Sequence, residues 1–375
     1  TAPVNDAVNA EAALNVESGT LTIAAGDDAL HCDNAMNIGA ESTAGPSITI
    51  TTCCEGLEGA AVNIYSGDVS IAATDDCINA ANPSLSGYSY ELNISGGTVV
   101  AYTTSGDGFD SNGDITISGG TVNAVGGRNS AGIGGGDGAG CSGITISGGT
   151  VTASSEDGAA GIGGGRWAGA GTADSAGVTI TNGTVTANGG AGAAGIGDGA
   201  NNVSDVGSVI SITGGTVTAN GGAGEAAGIG NGENDANDAA VNISATTARL
   251  DVTAVTQGSD EAITGGDDMT MAELNNQFSG VVRFLRGTDN YNTVHNGKYV
   301  GMEDNNQDLH QEDDAHIWGS TEIIRQATPT EQGILRHHCA VDGCKGYYEE
   351  FFDYAAPAEP VTPAPTDPDT PDVPG

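Results

Sequence analysis

Only nine of the 375 residues are lysine or arginine, and residues 1–127 contain neither. Set against 49 Asp and Glu, this leaves a formal charge of −40. Such a chain repels nucleic acid and anionic lipid and attracts cations. Aromatic residues make up only 4%, so the interior must be built from small aliphatic side chains. No apolar run approaches the roughly 18 residues of a membrane-spanning helix, and insertion into a bilayer is not expected. Seven cysteines, an odd number over this length, do not make a disulfide framework. The chain begins Thr1-Ala2-Pro3 without a methionine, as expected of a processed protein at the cell surface or outside the cell.

Glycine is what the chain has in excess: 62 residues, without the every-third spacing of collagen. It punctuates a repeat, seen in Ile115-Thr-Ile-Ser-Gly-Gly-Thr-Val-Asn-Ala124 and again from Ile144, Val178 and Ile210. Weaker copies are read at Leu92, Val62 and Leu21, and a decayed one at Val241. Each copy is an alternating strand, a glycine turn and a second strand, followed by a third short segment such as Gly132-Ile133-Gly134. Identical residues recurring in the same order are a stacking signature. The expected fold is therefore all-β, a parallel β-solenoid (β-helix, expected to be right-handed), with strands about 4.8 Å apart along the axis.

Taking the apolar residue of the third segment as an anchor gives Val8, Leu30, Leu57, Ile78, Phe109, Ile133, Ile162, Ile196 and Ile229. Two positions before the first five anchors stand Asp6, Asp28, Glu55, Asp76 and Asp107. One position after them stand Asn9, His31, Glu58, Asn79 and Asp110, while Asp27 and Asp75 add a third row. From Ile133 onward the first site becomes Ala131, Ala160, Ala194 and Ala227, and the second becomes glycine. Stacked carboxylates repel by about 0.8 kcal/mol at 5 Å even in bulk water, and no lysine or arginine is present to relieve them. Either they splay into solvent or cations bridge them. Oxygen ligands of this kind suit calcium.

Gly26-Asp-Asp-Ala-Leu-His31, Glu55-Gly-Leu-Glu-Gly59 and Thr74-Asp-Asp-Cys-Ile-Asn-Ala80 resemble the motifs of a bacterial family of calcium-binding, carbohydrate-binding β-helices. That family is similar in fold to pectate-lyase-type solenoids. The resemblance covers roughly residues 4–113 and implies Ca2+ and an acidic polysaccharide partner such as polygalacturonate. On the stacked acidic rows, the metal is expected at Asp27, Asp28, Glu55, Glu58, Asp75, Asp76, Asp107 and Asp110. His31, Asn79, Tyr88 and Tyr90 become candidates for contact with sugar. Cys32 and Cys77 depart from its usual small residues, and the later glycine coils lack its acidic motif.

Catalysis is not expected. A lyase needs a base, commonly Lys or Arg, beside its calcium, and the acidic coils contain neither. The competing reading is a structural surface rod, a filament or adhesin subunit polymerising through the solenoid ends or the C-terminal tail. Outward threonines at Thr150/Thr152, Thr184/Thr186 and Thr216/Thr218 would also suit an ordered surface such as ice or mineral, although threonine commonly fills exposed strand positions.

The solenoid is expected over residues 1–264, a small C-terminal capping or accessory region over 265–355 and a Pro-rich tail over 356–375. Met269 to Phe278 reads as a short helix and Val281 to Leu285 as a strand. His337 or His338 with Cys339 and Cys344 would make a zinc site. A disulfide or two free thiols are the alternatives.

Overall fold

The computed structural model describes residues 5–81, 89–140, 143–168, 177–202, 207–235, 239–244, 250–258, 261–264, 280–287, 289–295, 298–299, 318–328, 332–340 and 347–352. Among the described residues there is no helix, and successive coils of the solenoid pair in parallel. The anchor residues form one unbroken row. Val8 pairs with Leu30, and the pairing runs through Leu57, Ile78, Phe109, Ile133, Ile162 and Ile196 to Ile229. A further bridge joins Ile229 to Ile263. From Leu30 to Ile263 every member is fully buried, each contributing about 1.5–3 kcal/mol.

The second segment stacks just as regularly. Ile115, Ile144, Val178 and Ile210 are in register and buried, with Thr116, Thr145, Thr179 and Ser211 alternating outward. In Leu30–Ile38 and Leu57–Ile64 the anchor and second segments merge into one strand. This joins both faces into a 16-stranded sheet. The third face, in a 12-stranded sheet, runs from Thr20–Ala24 to Leu250–Thr256. Its inward row is Leu21, Ile48, Val69, Val99, Val122, Val151, Val185, Val217 and Val252. The repeat copy read at Leu21 is thereby corrected. Leu21 follows the glycine turn rather than preceding it, and the true counterparts of Val62 are Met36 and Leu14. Both strands of a coil alternate apolar and polar, so the pattern alone does not separate them.

The turn between these strands explains one glycine row. Gly67, Gly97, Gly120, Gly149, Gly183 and Gly215 have φ between +81° and +107°, a region that costs other residues steric strain. Past Thr264 the third face continues. Gly280–Arg286 adds in parallel to Leu250–Thr256, and Asp289–His295 with Lys298–Tyr299 then closes the edge in antiparallel fashion. The strand expected at Val281 to Leu285 is thus present. The helix expected at Met269 to Phe278 lies outside the described residues. A separate antiparallel sheet holds Trp318–Arg325, Gly333–Cys339 and Tyr347–Phe352.

Candidate carbohydrate and cation site

The parallel register brings the acidic motifs together. Asn9, His31, Glu58, Asn79 and Asp110 are paired one to the next along the sheet. Asp6, Asp28, Glu55, Asp76 and Asp107 flank them where each coil turns into its anchor strand. Asp28 and Asp107 are buried, whereas Asp27 and Asp75 are exposed. The third row is broken. Cys54 stands between Asp27 and Asp75, tied to both by backbone hydrogen bonds of 2.9 and 3.0 Å. These two carboxylates therefore sit two coils apart, at the rim.

In the lower half, where lysine and arginine are absent, His31 sits among three carboxylates that favour its protonated form. Its Nδ1 lies 2.7 Å from Glu58 Oε2 and 3.3 Å from Asp28 Oδ2, and Nε2 lies 3.4 Å from Asp33. Burial alone would lower its pKa, but Glu58, Asp28 and Asp33 together raise it. Oxygens of Asp28, Glu55 and Glu58 lie within 4.8 Å of one another, as do ligand atoms of Asp6, Asp28 and His31. Burial, then the charges of Glu58, Asp76 and Asp28, push Glu55 up to about 9. Its oxygens accept from Asn79 Nδ2 at 3.3 Å. Burial and the neighbouring Asp28 likewise bring Glu58 up to about 7 against the opposing pull of His31.

Among the described residues the upper half has no such partner. Asp76 Oδ1 accepts the backbone N–H of Asp107 at 2.6 Å. Burial and Asp110 nevertheless raise Asp76 to about 7. Asp107, 2% exposed, is held well above the ordinary carboxylate range by burial and by Asp110 and Asp76. Asp110 reaches about 6, mainly through burial. Two buried acceptors, Asp107 Oδ1 and Asn79 Oδ1, have no hydrogen-bond partner among the described residues. A buried oxygen left unmet costs about 1–3 kcal/mol. A hard cation satisfies such oxygens and relieves the repulsion at once, so the residues present fit one.

The glycine coils exclude this arrangement by backbone geometry. In them the N–H two positions before the anchor bonds to the carbonyl two positions after it, as Ala160 does to Gly164 at 3.0 Å and Ala194 to Asp198 at 3.0 Å. In the acidic coils the N–H groups of Asp28 and Asp107 instead bond to the carboxylates of Asp6 and Asp76 in the preceding coil. Gly134, Gly163, Gly197 and Gly230, just after their anchors, adopt φ of +147°, +140°, +134° and +122°. A Cβ on Gly163 would meet the Gly197 carbonyl oxygen at 2.1 Å. These coils do carry one acid that sequence reasoning missed. Asp198 is fully buried, accepts from the Ser208 N–H and hydroxyl, and is raised by burial and by Asp235.

Of the aromatic candidates, Tyr88 lies outside the described residues. Tyr90 is half-buried just before Glu91, which pairs with Ala61. It is thus in register with residue 60, two positions along the sheet from Glu58. Sequence reading also missed Asp33, which meets His31 two residues along the same strand, and Cys54, which takes the third-row position between Asp27 and Asp75. At the C-terminus, His337 and His338 are adjacent in one strand and so face opposite ways. His338 Nε2 lies 3.3 Å from Glu322 Oε2, and Cys344 lies outside the described residues.

Residues 1–157 match the family model described as carbohydrate-binding domain-containing protein. Residues 178–200 and 210–233 match the β-helix repeat model. No curated protein and no solved structure matches the chain. The first match covers every acidic coil and the second falls on the glycine coils. Fold and family matches agree with the resemblance carried by the acidic motifs: the chain is a parallel β-helix whose residues 1–157 are similar to carbohydrate-binding domain-containing proteins and whose later coils are similar to β-helix repeats.

Proposed function

We propose that the acidic coils bind an acidic polysaccharide of the polygalacturonate type, outside the cell, in a calcium-dependent manner and without cleaving it. The observation that carries the reading is Asp107 Oδ1, buried and without a donor among the described residues, beside Asp76 and Asp110 in a stretch with no lysine or arginine. Asp76, Asp107, Asp110 and Asn79 would hold the cation, with Glu55 at their side. Asp28, Glu58 and His31 form a lower, partly neutralised group, and the exposed Asp27 and Asp75 stand at the rim. A bound divalent cation supplies positive charge at the corner and free coordination positions for uronate carboxylates. That would overcome the repulsion between a −40 chain and a polyanion. The family match, which names binding rather than catalysis, supports a non-catalytic role.

Affinity electrophoresis in polygalacturonate tests this. Retardation is expected in millimolar calcium, and loss of it in chelator or after Asp76→Ala with Asp107→Ala, with no unsaturated uronide released. Retardation that ignores chelator contradicts the metal, and unsaturated product contradicts the binding-only role.

A second reading, a rod that assembles end to end, draws on the unbroken parallel stacking of the coils. Light scattering that finds a concentration-independent monomer removes it.

A further inference from the structure

Four consecutive glycine coils share one corner, five positions after the anchor, where the chain enters the left-handed region. The residues there are Gly138, Trp167, Asn201 and Asn234, with φ of +76°, +71°, +59° and +56°. Their N–H groups form one ladder, Gly138 to the Arg166 carbonyl, Trp167 to that of Ala200 and Asn201 to that of Glu233, each at 2.7–2.9 Å. Glycine and asparagine tolerate this conformation, and tryptophan does not. One of the chain's two tryptophans is therefore held at a strained position that its neighbours fill without strain. Strain of this kind points to a use for the side chain.

The indole is not there to fill the core, since Trp167 is 42% exposed. Arg166 Cζ lies over its ring, 4.8 Å from the centroid. This guanidinium belongs to one of two lysine or arginine residues before Arg249. The other, Arg128, is paired with Asp157. Arg166 makes no ion pair among the described residues. Its NH1 reaches Asn129 Oδ1 only at 3.4 Å, and its buried Nε has no acceptor. A cation beside an exposed aromatic, with donor capacity left over, is the pairing that recognises an acidic pyranose. The apolar sugar face stacks on the ring, and the carboxylate meets the guanidinium.

We propose that Arg166 and Trp167 form a second, metal-independent subsite for a uronic-acid residue, outside the segment that matches the carbohydrate-binding family. The inference rests on the acidic-polysaccharide reading but not on calcium. It places the second contact on the same rod, so a long glycan would engage both regions where short fragments engage one.

The test uses the full chain with Trp318→Phe, leaving Trp167 as the only tryptophan and exciting it selectively over the tyrosines, in chelator and at physiological salt to screen the acidic surface. Trigalacturonate should change the emission saturably, and neutral maltotriose should bind at least about tenfold more weakly. Arg166→Gln should abolish that preference. Trp167→Asn, assayed in the otherwise natural chain, installs the residue its neighbours carry. It should raise the melting temperature by about 1–3 °C while removing the chelator-resistant binding of trigalacturonate measured by calorimetry. Equal response to both sugars, no response to either, or a lower melting temperature in Trp167→Asn overturns the proposal. Failure here with calcium-dependent retardation intact leaves the acidic coils as the binding region. The reverse result would remove the calcium reading and keep this one.

Discussion

The acidic coils and the glycine coils share one inward stack, yet they treat the corner before and after the anchor in opposite ways. In the glycine coils the backbone closes on itself there, Ala160 N–H to the Gly164 carbonyl, and leaves no room for a side chain at Gly163. In the acidic coils the backbone opens, and carboxylates from the neighbouring coil take its N–H groups. The same solenoid thus offers two materials, a self-satisfied strut and an open corner that concentrates negative charge. What separates them is where one hydrogen bond goes. Phe109, fully buried, sits at the junction as the anchor of the last acidic coil.

The sharpest way to break this comparison is to put an acid where the glycine coils exclude it. Gly163→Asp should cost more than about 4 kcal/mol in urea denaturation, since both φ and the Gly197 carbonyl oppose a side chain. Near-native stability would show the two corners to be interchangeable. At the junction, Phe109→Ala should cost about 3–5 kcal/mol. The same measurement checks it, and a loss below about 1 kcal/mol would mean that the two regions are not mechanically joined through this side chain.

The acidic coils should also invert the usual pH dependence when metal is removed. Glu55 at about 9, Glu58 and Asp76 at about 7 and Asp110 at about 6 all lie above the unfolded value near 4. The folded state binds more protons than the unfolded state. Its stability is therefore full below about pH 4 and is lost as pH rises through these values. Stability in chelator, read by melting, should fall as pH rises from 5 to 9, with Glu55, the furthest raised of these four, still losing stability at the upper end. Asp107→Asn should flatten the slope by removing one of the repelling charges. A chelated protein that gains stability over this range would contradict the buried, mutually repelling ladder. The smallest effects belong to the rim, where Asp27→Ala and Asp75→Ala should each change chelated stability by less than about 0.5 kcal/mol. Larger values would put those exposed groups inside the interacting set.

Much of this was legible in the residues. The anchor row from Val8 to Ile229 is the register found, because an inward aliphatic at every coil is what stacking demands. The acidic rows were legible for the same reason, since positions fixed relative to the anchor must superpose. The Leu21 copy was misplaced because two strands of one coil carry the same alternation. The place of His31 among the carboxylates of the lower group depends on a 2.7 Å contact across coils, which spacing along the chain does not encode. The left-handed corner shared by Trp167 and Asn201 was hidden too. Gly, Trp, Asn and Asn look like unrelated loop residues until their backbone angles are known.

The most direct test of the central claim is calcium titration of the full chain by calorimetry, paired with melts in calcium and in chelator. The account predicts saturable binding and stabilisation of about 2.7 kcal/mol at a hundredfold excess over the dissociation constant. Both should be lost in Asp76→Ala with Asp107→Ala and kept in Gly230→Ala, whatever that substitution costs in stability. No heat of binding, with identical melts in calcium and chelator, would contradict it and leave the acidic coils a solvated ridge.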